Sequence, residues 1–212
     1  TTNALSYKVS QSDLSRLLRE LGGSSSGILG RLLNLLHRFL QPSDLAAFTQ
    51  AVQRATDLSF RLDYDFIQFF KSIDEFLEQE RDGQPVGPYG QQSRILSATR
   101  TTPTWTEVEM AWDTTHETLE LLLTLASEIH KSISEMEDTG MSDLEDTLGI
   151  LGTIYRRMVE AETNLTNLVS KGDENNVYWA EIQPVNNRVS LQIAPIIIGP
   201  LMEQYLWHEK TS

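Results

Sequence analysis

The sequence predicts a mainly α protein: an elongated antiparallel helical bundle, with a small β element formed by segments near the two termini. Three observations carry this. Apolar residues recur at alternating three- and four-residue steps over three long stretches. Short turn-rich breaks separate those stretches. Alternating apolar and polar residues occur only close to the two ends of the 212-residue chain.

The elements follow in order. Leu5-Ser-Tyr-Lys-Val9 alternates and reads as a short strand. Ser10 or Ser12 caps a helix through Leu14, Leu17, Leu18 and Leu21, which Gly22-Gly23 ends. After the link Ser24–Gly27, a leucine-rich helix is expected from Ile28 to Leu40, stopping at Pro42. The clearest seam then runs through Leu45, Phe48, Val52, Ala55, Leu62, Phe66, Phe69, Ile73 and Phe76, with Ser59 as its interruption. It predicts one helix from Ser43 to about Glu80, roughly 55 Å long at 1.5 Å per residue.

Asp82–Gly90 holds three glycines and two prolines and breaks the helix, opening an extended arm over residues 83–104. Within it, Arg94-Ile-Leu-Ser-Ala-Thr-Arg100 reads as a strand or an extended segment. A second seam passes through Val108, Trp112, Leu119, Leu122, Ala126, Ile129, Ile133 and Met136. A third passes through Leu144, Leu148, Leu151, Tyr155, Met158, Leu165 and Val169, and Lys171-Gly172-Asp173 closes it. A strand pair within Val177–Ala194 and an amphipathic terminal helix complete the chain. The expected organisation is one unit: a basal strand and helices (1–42), a long-helix bundle (43–171), then the strand pair and terminal helix (172–212). The terminal segments are expected to pair as a sheet, placing both ends of the chain at one end of the bundle, as in a domain inserted into a host.

Composition narrows the function. The formal net charge is -13, which disfavours broad affinity for nucleic acid. Residues 1–41 nevertheless carry five cations and two anions, net +3, leaving -16 for the remainder. With no cysteine, disulfides, thiol catalysis and iron–sulfur ligation are excluded. No apolar run has the length of a membrane span, no secretion signal is evident, and a cytoplasmic location is expected. The start Thr1-Thr2-Asn3 suits an excised fragment.

Catalytic and ligand motifs are weak. Gly22–Gly27 lacks the lysine of a phosphate-binding loop and follows a helix instead of a strand. His116 and Glu120, with Glu117 nearby, offer metal-ligand types, but a solvated helix face explains them better. The acidic stretch Glu135–Asp146 lacks calcium-loop spacing, and Ser142 or Thr139 capping the next helix accounts for it. Asn164-Leu-Thr166 matches a glycosylation acceptor by chance, in mid-helix. Trp112 and Trp179 are expected in the core. Residues 83–106 contain no Asp or Glu, so Arg94, Arg100 and Trp105 form a cation-and-aromatic candidate for contacting single-stranded DNA. Arg16, Arg19, Arg31 and Arg38, in the basic end, are the next candidates. No catalytic, cofactor-binding or metal-binding residue is assigned.

Three stretches carry a family resemblance. They are the opening Thr2-Asn-Ala-Leu-Ser-Tyr-Lys-Val-Ser10, then Arg94–Arg100 leading to Trp105-Thr-Glu-Val-Glu-Met-Ala-Trp112, and finally Val177 to Lys210. Together they resemble the region between the Asp-Glu-Ala-His box and the Thr-Ser-Ala-Thr motif of DinG/XPD-type ATP-dependent DNA helicases. The resemblance implies the helical insertion called the arch, which in that family shapes the single-strand passage and gates DNA entry. It implies as partners the motor domains of a parent bacterial helicase and single-stranded DNA, with the fragment itself monomeric. ATP and magnesium belong to the parent alone, because no Walker lysine, Asp-Glu-Ala-His box or cluster cysteine is present. The rival reading is a free-standing acidic helical adaptor that docks a basic protein. A weaker one is a coiled coil self-associating through the Leu45–Phe76 seam.

Overall fold

A computed structural model describes residues 6–136 and 142–196. Its elements are β1 (Tyr7–Ser10), α1 (Gln11–Leu21), α2 (Gly27–Leu36), α3 (Pro42–Glu80), β2 (Gln91–Arg94), α4 (Pro103–Ser134), α5 (Ser142–Thr166), β3 (Asn176–Ile182) and β4 (Val189–Pro195). The protein is mainly α, with one antiparallel four-stranded sheet in the order β1-β4-β3-β2. The expected terminal helix and the acidic tip at 137–141 lie outside the described residues.

Helix α3 has 39 residues and reaches about 58 Å. Its seam packs against α4, and the contacts fix an antiparallel register. Phe76 meets Trp105 edge-on at 5.0 Å, and Phe69 meets Trp112 at 5.1 Å. Farther along, Asp65 accepts a hydrogen bond from Thr118 Oγ1 at 2.7 Å. As α3 numbering falls, α4 numbering rises. Helix α5 returns antiparallel to α4 in the same way, with Trp112 Nε1 donating to Thr166 Oγ1 at 3.2 Å and His116 Nε2 bonding Glu162 Oε1 at 2.8 Å. The Leu45–Phe76 seam is thus turned inward against α4, and an intermolecular coiled coil on that seam is excluded. Helices α1 and α2 close the bundle through the buried Leu14, Leu17, Leu18, Leu21, Leu29 and Leu32.

Three sequence expectations are corrected. Helix α2 ends at Leu36, four residues short of the expected Leu40. Arg38 and Phe39 donate to the carbonyls three residues back, tightening the chain. Gln41 then turns extended (φ -66°, ψ 151°), as a residue before proline prefers, and Pro42 opens α3. The strand of the arm is Gln91–Arg94, earlier than Arg94–Arg100, and it forms the fourth strand of the sheet by pairing with β3. Its sequence Gln-Gln-Ser-Arg has no apolar alternation, so the exposed edge of β3, and not intrinsic propensity, makes it a strand. Trp179 is not a core residue: Tyr178, Ala180 and Ile182 face the bundle, and Trp179 lies on the opposite, partly exposed face.

Local chemistry sets the start of α1. Ser10 caps it, and Asp13 accepts from the Ser10 backbone N–H at 2.9 Å and from Ser10 Oγ at 2.7 Å. Partial burial pushes the Asp13 carboxyl up. The Ser10 hydrogen bonds and the charges of Arg188 and Arg16 outweigh it and hold the group below the ordinary carboxylate range. The folded state therefore prefers ionised Asp13. The stabilisation is full above the unfolded value of about 3.9 and is lost as pH falls through the lower folded value. Replacing Asp13 by Asn is expected to flatten this limb of the stability-versus-pH curve, measured by urea melts between about pH 2 and pH 5, across and below the unfolded carboxyl value.

Ser59, the break in the seam, is buried with an Oγ that has no hydrogen-bond partner. Ser59→Ala removes the unsatisfied hydroxyl and improves helix propensity. It is expected to stabilise the chain by about 0.5–1 kcal/mol, read as a higher urea midpoint with an unchanged slope.

Candidate nucleic-acid interface

The residues singled out for DNA contact separate into three groups. Trp105 and Arg100 belong to the fold. Trp105 is completely buried at the first turn of α4, and its Nε1 donates to the Val169 carbonyl at 2.9 Å. Arg100 Nε and Nη2 both donate to the Leu168 carbonyl, at 3.0 and 2.8 Å. Its guanidinium lies 5.1 Å from the centre of the Tyr178 ring. Burial lowers the Arg100 pKa from its ordinary value, against the raising influence of Tyr178 and Glu109.

Both carbonyls belong to the end of α5, where the backbone widens to π geometry over Asn167–Lys171. Such a widened turn leaves carbonyls without their usual helical donors, and Arg100 and Trp105 supply replacements. An exposed DNA-stacking role for Trp105 is therefore corrected: an indole enclosed by protein has no face for a base. Its geometry shows a different role, pinning the arm onto the bundle.

Gly172 makes this junction possible. Its φ is +53°, and a Cβ there would sit 2.7 Å from Arg100 Nη1.

The second group lies on the outer faces of α1 and α2 and in the turn after α2. Arg16, Arg19, Arg31 and Arg38 are all exposed. Arg16 is partly neutralised by Asp13 at 3.0 Å. No acid occurs between Leu21 and Ser43, so Arg31 on α2 and Arg38 in the turn that follows it carry a local positive field on an acidic protein.

The third group is built by the sheet. Strand register places Lys8 (β1), Gln192 (β4), Trp179 (β3) and Arg94 (β2) side by side in one row across all four strands. Residues in such a row share a face, with neighbouring Cβ atoms about 5 Å apart. The face points away from the bundle, because the adjacent row of Val9, Leu191 and Ala180 is buried against it. Lys8 and Arg94 are exposed and Trp179 is partly exposed. An aromatic ring between two cations on a sheet is the chemistry of single-strand recognition, where bases stack and phosphates pair. Glu181 sits in the next row of the same face. It accepts from Gln192 Nε2 and, at 3.5 Å, from Gln92 Nε2, which ties its carboxylate to neutral amides.

Of the predicted contacts, only Arg94 enters this row. Lys8, Gln192 and Trp179 were not singled out as contacts from sequence. Alternation assigns each to a face of its strand, but partnership across strands far apart in sequence needs the register.

The remaining candidates resolve simply. Gly22–Gly27 closes as a tight turn bridged between Gly23 and Ser26. His116 bonds Glu162 and lies 3.7 Å from Glu120. Among the described residues no group of three His, Cys, Asp or Glu side chains is placed to hold a metal, and no helix is long and apolar enough to cross a membrane. Comparison with family models, with curated proteins and with solved structures finds no match.

Trp105→Phe keeps the apolar bulk but leaves the buried Val169 carbonyl unpaired, at an expected cost of about 1–3 kcal/mol. Gly172→Ala, forced against Arg100 at a left-handed position, is expected to destabilise by at least about 1 kcal/mol. Both are read from chemical denaturation. Arg94→Gln, on the exposed edge, is expected to change stability by less than about 0.5 kcal/mol.

Proposed function

We propose that this chain is an arch-type insertion of a DinG-like bacterial ATP-dependent DNA helicase, which shapes the passage for single-stranded DNA and restricts its entry. One observation carries the reading: β1 and β4 are hydrogen-bonded neighbours from Tyr7↔Ile193 to Ser10↔Ser190, so the intervening bundle departs and returns at adjacent strands. A host domain can accept such an excursion without disturbing its own sheet. The three stretches that resemble the helicase region all contribute to this end of the molecule. Their described residues supply β1, then the last residue of β2 with the Arg100–Trp105 junction, then β4 and all of β3 but Asn176.

In this reading ATP and magnesium are handled by the parent's motor domains, in the cytoplasm, and no residue of this chain is catalytic. The open face of the sheet forms a wall of the passage, with Trp179 stacking on a base and Lys8 and Arg94 pairing with phosphates. The acidic body repels DNA elsewhere, which confines the strand to the base of the arch.

The adaptor reading has one observation of its own. Glu117, Glu120, Glu128 and Glu162 rim a groove between α4 and α5 whose floor includes Leu123, Tyr155 and Val159. A basic amphipathic segment matches it in charge. That groove has no relation to the adjacency of β1 and β4, so the insertion reading explains more.

The test is made in the full-length parent enzyme. Arg94→Glu combined with Trp179→Ala is expected to lower DNA-stimulated ATP hydrolysis and unwinding about tenfold or more, since each stacked base contributes about 1–3 kcal/mol. DNA-independent ATP hydrolysis is expected to stay unchanged. Unaltered unwinding would remove the sheet face from the DNA path. A reading frame without an Asp-Glu-Ala-His box before this segment and a Thr-Ser-Ala-Thr motif after it would sink the helicase assignment.

A further inference from the structure

Helix α3 has a second apolar stripe, on the side opposite its buried seam. Phe60, Tyr64 and Ile67 are 75%, 61% and 43% exposed, and their spacing of four and three residues puts them on one face. Asp57 and Lys71 extend the same face by one turn at each end, so the five residues follow an unbroken three-four-three-four step. A globular helix normally turns such residues inward or replaces them by polar ones. Among the described residues Phe60 and Tyr64 stand well exposed, and Ile67 borders a groove shared with Asn186–Val189.

The order of the five residues selects an occupant. Reversed end to end, the stripe is complementary to itself. Tyr64 falls opposite Tyr64, Phe60 opposite Ile67, and Asp57 opposite Lys71. By symmetry each of the last two pairs occurs twice, so an apolar centre is flanked on both sides by opposite charges. A parallel alignment would instead stack Asp57 on Asp57 and Lys71 on Lys71. We propose that α3 docks antiparallel against α3 of a second copy of this chain, about a two-fold axis passing between the two Tyr64 side chains.

An isologous contact of this kind needs one surface that meets itself after rotation, which is what the stripe supplies. The charged ends are free to exchange partners. Lys71 Nζ reaches Glu75 on its own helix at 3.6 Å, and Asp57 accepts from Gln53 at 3.0 Å, both exposed contacts of small energetic weight. The buried seam of α3 keeps its packing against α4, so pairing requires no rearrangement of the bundle. With three apolar residues per copy the contact is small, and association belongs to the transient class. The inference replaces the expectation of a monomer and does not depend on the helicase reading.

The chain contains no cysteine, so single cysteines report the geometry cleanly. Under mild oxidation Tyr64→Cys is expected to form a disulfide-linked dimer. Phe60→Cys alone and Ile67→Cys alone are expected to stay largely monomeric, while a mixture of these two chains crosslinks about tenfold faster than either alone. Sedimentation equilibrium of the unmodified chain is expected to show reversible dimers. Lys71→Glu, which sets two pairs of like charges face to face, is expected to weaken dimerisation about tenfold, and adding Asp57→Lys to restore it. All these positions are exposed, and an unchanged helical circular dichroism signal excludes unfolding as the cause. A chain that remains monomeric at millimolar concentration (about the weak end of specific association) overturns the proposal. Crosslinking of Phe60→Cys with itself as fast as with Ile67→Cys overturns it equally.

Discussion

The architecture depends on the junction where α5 ends, α4 begins and the sheet is attached. Two carbonyls, of Leu168 and Val169, emerge from the widened last turn of α5 without helical donors. Buried and unpaired, each would cost free energy comparable to a lost hydrogen bond. Arg100 and Trp105 satisfy them from the chain segment that enters α4. The same indole packs on Phe76 at the end of α3, and the same guanidinium lies over Tyr178 of β3. One cluster thus holds three helices and the sheet together, and Gly172 leaves room for it.

From that junction outward, the bundle is kept in register by a few polar contacts inside a mostly apolar interface. Apolar seams of Leu, Ile and Phe tolerate sliding by one heptad, because one layer resembles the next. Asp65 with Thr118 on one side of α4 is a buried pair that a slipped register would separate, and on the other side half-buried His116 would lose Glu162. Thr115 Oγ1 reaches the Asp65 carbonyl at 3.2 Å and adds to the same knot. Their net contribution to stability is small, but the cost of separating them is high, which is how buried polar groups specify one arrangement.

The surface divides into regions of different chemistry. The base presents Lys8 and Arg94 beside Trp179, and α2 with the turn after it adds Arg31 and Arg38. The long helices carry most of the negative charge, including the glutamate-rimmed groove between α4 and α5. The outer face of α3 is apolar at its centre. The three proposed occupants, a strand of nucleic acid, a basic segment and a second copy, are thus assigned to three different regions. These sites do not overlap in residues, so each can be altered separately.

Much of the fold was legible because helical periodicity is a local property. The seams through Val52 to Phe76, Val108 to Ile133 and Leu144 to Val169 each name their buried face, and Pro42 marks the boundary between α2 and α3. Ser10 with Asp13 marks the entry to α1 in the same local way. What periodicity cannot show is partnership between residues far apart in sequence. Arg100 and Trp105, beside Arg94 in an acid-free segment, looked like one exposed patch. Tertiary contact turned two of them inward, because the end of α5 needed donors, and left Arg94 outside. Strand β2 has no pattern of its own and exists because β3 offers an unpaired edge. The chain by itself therefore determined which residues form helices and which face of each is apolar. Only the tertiary structure decided which cations are free and which aromatic ring lies between them, since hydrogen-bond demand and strand register arise only when distant segments meet.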